Sequence, residues 1–294
     1  MIQENEHRSG IVLLDKPAGI TSAKAIAILK RRLRCKKIGH AGTLDPMATG
    51  LLVCLINGAT KLAALAVAGD KVYSGTFLFG VVTDTDDIEG KVISHSLDLP
   101  TFDQVQEHLK SFLGTIEQVP PQVSAIKVDG EPLYKRVRRG EEVVITPRSV
   151  TIHSFEIFPT EVPEKFDFRI HCSKGTYIRS IARDLGVAVG CGACLAKLRR
   201  EKSYPFDTIN GKKIEEIDAS DILDWWTLLP DVGMIELEDG AAQRLKNGDQ
   251  SLLTKISESF PDVNSVIYGD SRYRYGVLVR ETLDGAWKIA VNVV

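Results

Sequence analysis

The stretch GHAGTLDPMATG, Gly39 to Gly50, places one imidazole and one carboxylate in a loop otherwise built from glycine, proline and small or apolar residues. An aspartate has a reference pKa of about 3.9 and is ionised at neutral pH, so Asp45 could act as a nucleophile or as a base. Asp-Pro is also a common turn element, and on this loop alone Asp45 could equally cap a turn before Pro46. His40 has the same two readings: a flat ring for contact with a ligand, or a loop histidine bonded to backbone.

Other familiar chemistries lack their residues. There is no GxxxxGKS/T phosphate loop and no GxGxxG fingerprint after a strand. DTDDIEG, Asp84 to Gly90, is acidic, but Ile88 and a displaced glycine break the calcium-loop pattern. Cys191 and Cys194 have the spacing of half a zinc or redox site with no second pair, and read as core or helix-start cysteines. The six histidines contain no HExxH arrangement. The pattern favours chemistry that needs neither metal nor cofactor.

Elements must position these groups. Ile11 to Leu14 reads as a buried strand and Pro17 with Gly19 as a turn. Thr21 or Ser22 caps a helix with Ile26, Leu29 and Leu33 on its apolar stripe. Lys24, Lys30, Arg31 and Arg34 project to the other side. Residues 24–37 carry seven Lys or Arg and no acid, which suits a phosphate-facing surface better than an ordinary mixed-charge one. LLVCLI after the loop reads as a strand, ATKLAALAVA as a helix, and KVYSGTFLFGVVTDTDDIEGKVI as strands broken by a turn. TFDQVQEHLKSFLGTI is an amphipathic helix with Val105, Leu109 and Phe112 on one face and Gly114 near its end. The following proline- and glycine-broken stretch bunches Lys135, Arg136, Arg138 and Arg139 around Tyr134, as a basic arm would. FDFRIHC alternates like a half-buried strand. YIRSIARDLGVAV is a helix with Ile178, Ile181, Ala182 and Leu185 inward, and Leu198 further on reads as a helix leucine. A break falls near residues 225–233, and YGVLVRE and WKIAVNVV then predict a small β-rich module.

Strands and helices alternate without regular βαβ spacing, which points to an α+β fold with a mixed, largely antiparallel sheet and flanking helices. With 294 residues, 44% hydrophobic and 26% charged, one large domain plus a small one is expected. The net charge of -2 means that any nucleic-acid binding must come from local basic patches. An odd count of five cysteines argues against a disulfide framework. The polar N-terminus and short apolar runs predict a cytoplasmic protein with no membrane segment.

The motifs together resemble a known family. GHAGTLDPMATG resembles the catalytic loop of the bacterial tRNA pseudouridine synthases (TruB family) that modify the T-loop uridine. LDKPAGITS resembles the family's first motif. KVYSGTFLFGVVTDTDDIEG resembles the second, with Lys71, Tyr73, Gly80, Thr83, Thr85, Asp87 and Gly90 at the expected spacing. VPPQVSAIKVDGEPLYKRVRRGE looks like the family's T-arm-gripping insertion, and CSKGTYIRSIARDLG and GCGACLAKLRR resemble the last two motifs. These run in order over about residues 11–200. Ala41 replaces the usual threonine and Cys194 the frequent histidine, at positions not expected to do chemistry. The tail is similar in position and β character to the RNA-binding PUA module.

The resemblance implies a pseudouridine synthase fold and an isomerase that flips a tRNA uridine and converts it to pseudouridine, with no cofactor and no metal. It implies Asp45 as the essential catalytic residue, Arg179 pairing with it, and Tyr73 stacking on the uracil with its hydroxyl near C5. Tyr177 and Leu198 would line the base pocket, and His40 would fill the space a flipped base vacates. Gly39, Gly42 and Gly50 would let backbone approach RNA. Lys24, Arg31, Arg34, Lys135, Arg136, Arg138 and Arg139 would contact phosphates of the tRNA T-arm. The expected organisation is a disordered tail at 1–9, a catalytic domain at 10–230 with the basic insertion at about 124–150, and a PUA-like module at 231–294, in a monomer without an obligate protein partner. A guide-RNA-dependent synthase, an RNA-folding protein and a nucleoside hydrolase are the rival readings. The bacterial-style arm opposes the first, intact Asp45, Tyr73 and Arg179 oppose a dead enzyme, and the basic surfaces oppose the third.

Overall fold

A computed structural model of the chain describes residues 8–293 apart from 124–126, 129–130, 133–135, 137–138, 140, 142, 144, 239, 248, 254–261 and 284. The chain enters as β1 (Gly10–Lys16) and forms α1 (Ser22–Leu33). The Thr21 side chain accepts from the Lys24 amide at 3.1 Å and caps α1, satisfying one of the helix's unpaired amides. Ala25, Leu29 and Leu33 are its buried apolar residues, while the expected Ile26 is half-buried. β2 (Ile38–His40) and β3 (Thr49–Ile56) flank the glycine-rich loop. The helix expected over ATKLAALAVA is shorter than its composition suggests: a 3-10 turn at Asn57–Leu62 precedes a brief α2 (Ala63–Ala68).

β4 (Lys71–Phe79), β5 (Val81–Thr83) and β6 (Val92–His95) follow. α3 (Phe102–Leu109) starts in a capping box between Thr101 and Gln104, and Gly114, with φ of 81°, opens β7 (Gly114–Gln118). After the short β8 (Lys127–Val128) and β9 (Glu131–Pro132) come β10 (Arg148–Pro159), β11 (Lys165–Cys172), α4 (Ile178–Ala188) and β12 (Ala193–Ser203). β13 (Phe206–Asp207), β14 (Leu223–Asp224), β15 (Gly233–Glu236), α5 (Ala241–Lys246), β16 (Ser265–Gly269), β17 (Arg274–Val279) and β18 (Lys288–Asn292) complete the chain.

One ten-stranded sheet runs in the order β14-β1-β3-β12-β4-β11-β10-β7, with β2 beside β3 and β13 beside β12. β12 and β3 pair in parallel and their neighbours antiparallel, which is the mixed, largely antiparallel sheet the sequence suggests. The continuous apolar runs of β1 and β3 are explained by burial of both faces. Val12, Leu14, Leu52, Cys54 and Ile56 join the core beneath α1, α3 and α4, while Ile11, Leu13, Leu51, Val53 and Leu55 face the opposite core. Each such apolar side chain contributes about 1.5–3 kcal/mol by burial.

That opposite core also receives Trp225, Leu228, Ile267, Val277 and Val293. The C-terminal sheet, β15-β16-β17-β18, therefore packs against the main sheet as well as on its own cluster of Leu245, Tyr268, Leu278 and Trp287. The break expected near 225–233 begins with a buried tryptophan rather than an open linker. Of the tail expected at 1–9, residues 1–7 lie outside the described residues. Arg8 and Ser9 are fixed: Arg8 Nη2 donates to the Ile222 carbonyl at 2.7 Å, and Ser9 Oγ accepts from the Gly58 amide at 3.0 Å. Among the described residues no helix is long and apolar enough to cross a membrane.

Candidate active site

The Asp45 loop is pinned from the turn between β1 and α1. Ser22 Oγ both donates to the Leu44 carbonyl and accepts from the Leu44 amide at 2.9 Å. The Gly19 amide donates to the Pro46 carbonyl at 2.8 Å, and Ala48 N closes a turn on Asp45 O at 3.1 Å. The turn is thus closed by backbone, and the Asp45 carboxylate is left for a tertiary partner.

That partner is Arg179, in the first turn of α4. Arg179 Nε lies 3.1 Å from Asp45 Oδ2, and Nη2 donates to Oδ1 at 3.3 Å. The guanidinium is buried. It also donates to the carbonyls of Thr85 and Val123 at 3.0 Å each, and its Nη1 lies 3.4 Å from Asp87 Oδ2. Asp87 is itself oriented by Thr85 Oγ1 at 2.7 Å and the Glu89 amide at 3.1 Å, both donating to Oδ1. One side of Asp45 opens to solvent, at 32% side-chain exposure, and the rest is packed in protein. Desolvation pushes its pKa above the ordinary carboxylate value and Asp87 adds to this, while Arg179 and Lys16 pull it back.

Asp45 and Arg179 line a cavity of about 310 Å³ together with Tyr73, Tyr177, Leu198 and Arg200. Tyr73 comes from β4, where its cross-strand neighbours are Ile170 and Arg200. Burial raises the Tyr73 phenol above its ordinary pKa, so the hydroxyl keeps its proton at neutral pH. Tyr177 precedes α4, and Gln118, almost wholly buried, clamps its backbone: Tyr177 N donates to Oε1 at 2.8 Å, and Nε2 donates to Tyr177 O at 3.1 Å. Leu198 lies on strand β12 opposite Gly75, not on the helix expected for it. The segment ACLAKLRR is rich in helix formers, and pairing with β4 on one side and β3 on the other overrides that propensity.

Other expected residues fall elsewhere. His40 ends β2, outside the cavity lining, and its Nδ1 is buried without a hydrogen-bond partner among the described residues. Burial and the nearby Arg200 charge lower its pKa, which keeps the ring neutral at neutral pH. Lys24, Lys30, Arg31 and Arg34 are exposed on and just after α1. Lys135 and Arg138, with Tyr134, lie outside the described residues. Arg136 and Arg139 both pair with Glu141 at 2.7 Å. Two of the three loop glycines, Gly42 and Gly50, pack closely against Arg200. A Cβ on Gly50 would sit 2.3 Å from the Arg200 carbonyl oxygen, and Gly42 adopts φ of 88° beside the Arg200 guanidinium; Gly39 meets only ordinary contact at Thr60.

Lys16, Arg200 and Asp87 support the site without having been singled out as site residues. Lys16 Nζ, fully buried, donates to the carbonyls of Pro17, Ile20 and Pro46 at 2.7, 2.8 and 3.3 Å, and burial pushes its pKa down to about 8. Arg200 donates to the Leu51 carbonyl at 2.7 Å and the Gly42 carbonyl at 3.1 Å, bracing both ends of the loop. Their neighbours in sequence are Asp15 beside Lys16, and Arg199 with Glu201 around Arg200, so nothing local marks either cation as buried. The arrangement sets an oriented carboxylate and a neutral phenol on one small cavity whose wall mixes apolar side chains such as Leu44, Val67 and Leu198 with the cations Lys71, Arg148 and Arg200.

A model of the TruB family pseudouridylate synthases, N-terminal domain, matches residues 30–178. The protein named tRNA pseudouridine synthase B in Opitutus terrae is 46% identical over 221 residues, 74% of this chain and 91% of that one. Its namesake in Roseobacter denitrificans is 41% identical over 253 residues, 83% of this chain and 84% of its own. A chain in the crystal structure of a Cbf5-Nop10-Gar1 complex superposes with a TM-score of 0.69 at 22% identity, over 100% of this chain and 86% of that one, a likeness of fold. The matched segment holds the Asp45 loop and Tyr73 and reaches the first turn of α4, and relatives at this identity span most of the chain: it belongs to the TruB family of pseudouridylate synthases, enzymes of the isomerase class.

Proposed function

We propose that the protein is a stand-alone tRNA pseudouridine synthase that isomerises the T-loop uridine at position 55 of tRNA. The observation that carries this reading is the pairing of Asp45 with Arg179 on a cavity that Tyr73, Tyr177 and Leu198 also line. The reaction breaks the N1–C1′ bond of uridine, forms a C5–C1′ bond on the same ribose, releases the C5 proton and leaves N1 protonated. It is redox-neutral and calls for no cofactor. It needs an anion at the sugar, supplied by Asp45 as nucleophile or as base, and walls that hold the freed base. Tyr73 offers its ring face to the uracil and a protonated hydroxyl near C5, while Tyr177 and Leu198 enclose it.

The uridine must leave the T-loop to reach this cavity, which costs a few kcal/mol of stacking. His40, neutral and outside the cavity, is suited to fill the vacated space. The exposed cations of α1, with Arg136 and Arg139 of the insertion at about 124–150, position the T-arm through its phosphates. Residues 10–230 are assigned to catalysis and 231–294 to a PUA-like RNA-binding module, in a cytoplasmic monomer.

The test is tritium release from tRNA transcript labelled at uracil C5, by wild type and Asp45→Asn, with RNA binding measured for both. Release by the wild type alone, with equal binding, supports the reading. No release by the wild type with salt-dependent binding retained overturns it, leaving a guide-dependent enzyme, another RNA target or an RNA-folding protein.

A further inference from the structure

Away from the active-site cavity, three side chains that are distant in sequence converge on one outer patch. β10 carries a bulge: Ile152 pairs with Cys172 and Ser154 with His171, so His153 and Ser154 both oppose His171. Ile152 and Phe155 point into the core, at 1% and 7% exposure, which leaves both intervening residues on the outer face. The extra residue brings the His153 imidazole beside that of His171, with ring centroids 4.6 Å apart. Asp70, in the turn between α2 and β4, reaches both rings: its Oδ2 lies 3.1 Å from His153 Nε2 and 3.6 Å from His171 Nε2.

The turn that presents Asp70 is fixed before any ligand arrives. Lys71 Nζ donates back to the Val67 carbonyl at 2.6 Å and to the Gly69 carbonyl, and the Tyr204 amide donates to Asp70 O at 2.9 Å. Gly69 packs so closely on Tyr204 that a Cβ there would lie 2.9 Å from it. The one ligand atom that each of Asp70, His153 and His171 offers lies within 4.8 Å of the others.

We propose that Asp70, His153 and His171 form a binding site for a single Zn²⁺ ion, with water in the fourth position. A tetrahedral ion with bonds of about 2.0–2.1 Å separates its ligand atoms by about 3.4 Å, and the two observed imidazole–carboxylate spacings bracket that value. Two imidazoles with one carboxylate suit zinc and its borderline neighbours, whereas calcium and magnesium take oxygen ligands. The side chains are 38–45% exposed, so the ion has an entry path and solvent supplies the remaining ligand. The ion ties together β10, β11 and the lead into β4, and β4 carries Tyr73 while β11 runs into Ser173 at the rim of the active-site cavity. No local spacing in the sequence reveals the site, because its ligands meet only through the sheet and the bulge.

The test is calorimetric titration of Zn²⁺ into the full, untagged, chelator-treated chain, with thermal melts alongside. One saturable site is expected. Asp70→Asn, His153→Gln and His171→Gln each weaken it at least about tenfold, and zinc raises the Tm of the wild type but not of these variants. His95→Ala, an exposed histidine elsewhere, leaves the affinity unchanged, and Mg²⁺ produces no shift. If Asp70→Asn fails to fold, His153→Gln on the solvent face decides alone. Absence of saturable binding, or stoichiometric binding that survives every one of the three substitutions, overturns the proposal.

Discussion

Arg179 spans two carboxylates at once: its Nε stands 3.1 Å from Asp45 Oδ2 while its Nη1 stands 3.4 Å from Asp87 Oδ2. It does so from the first turn of α4, where the helix dipole disfavours a cation. Tertiary partners hold it there, including two backbone carbonyls. The geometry puts a fixed positive charge behind a carboxylate that burial would otherwise discharge.

Asp45→Asn separates function from stability. The Asp45 pKa is raised, chiefly by desolvation. Between the unfolded value of about 3.9 and the raised folded value, the folded protein binds more protons than the unfolded chain, so stability falls as pH rises through that interval. Ionised Asp45 is therefore a net strain on the fold at neutral pH. Asp45→Asn is expected to lose activity by at least about 10³-fold while Tm stays level or climbs at pH 7. The wild-type acid limb of kcat/KM should lie above the ordinary carboxylate range. Melting curves with pH, and a pH–rate profile, check both; a clear drop in Tm for the variant would refute the account.

Arg179→Lys keeps the charge and loses the fork. A lysine cannot serve Asp45, Asp87 and the two carbonyls together, so buried acceptors lose their donor. Breaking the Arg179–Asp87 pair, buried on both sides, costs about 3–5 kcal/mol. Arg179→Lys should lower both kcat and the urea midpoint. In a double-mutant cycle with Asp45→Asn the losses should be non-additive. Additive effects would mean that the two side chains act separately.

The sheet was legible in the sequence because its inner strands are apolar on both faces, and the helices because Leu29, Leu33, Ile181 and Leu185 repeat at helical spacing. The Asp45 loop was legible because two ionisable groups stand out among glycines. β12 was not: ACLAKLRR has helical composition, and only its pairing with β4 and β3 makes it a strand. Lys16 and Arg200 were equally hidden, since a buried cation declares itself through the carbonyls it meets, and those come from the β1–α1 turn, Pro46, Gly42 and Leu51. Gly50 also admits the Arg200 backbone, a packing demand set by a strand far along the chain and so not visible in the loop itself.

Two glycines with similar backbones should therefore respond differently to alanine. Gly50 has φ of 99°, and a Cβ would lie 2.3 Å from the Arg200 carbonyl oxygen and 2.8 Å from its nitrogen, neither of which can rotate away. Gly175 has φ of 82° with nothing within 4 Å. Gly50→Ala combines left-handed strain of about 1–3 kcal/mol with forced separation of β3 from β12, for a total above about 3 kcal/mol. Gly175→Ala pays the strain alone, about 1–2 kcal/mol. Equal losses of stability in chemical denaturation would count against the close approach of β3 and β12.

The acid-free face of α1 makes the last prediction. Lys24 and Arg31 are exposed there, whereas Arg32 is committed to the Ile217 carbonyl. If α1 tracks tRNA phosphates, each contact releases condensed counterions, and log K falls with log salt by about 0.7–0.9 per contact. Binding should be steeply salt-dependent in spite of the net charge of -2. Lys24→Gln with Arg31→Gln should flatten that slope by about 1–2 and weaken binding of all tRNA sequences alike. Single-turnover release of tritium at saturating enzyme should be unchanged, because neither residue lines the cavity that holds Asp45. An unaltered slope would remove α1 from the RNA-binding surface, and an unaltered slope with a slower single turnover would place these cations in the chemical step instead.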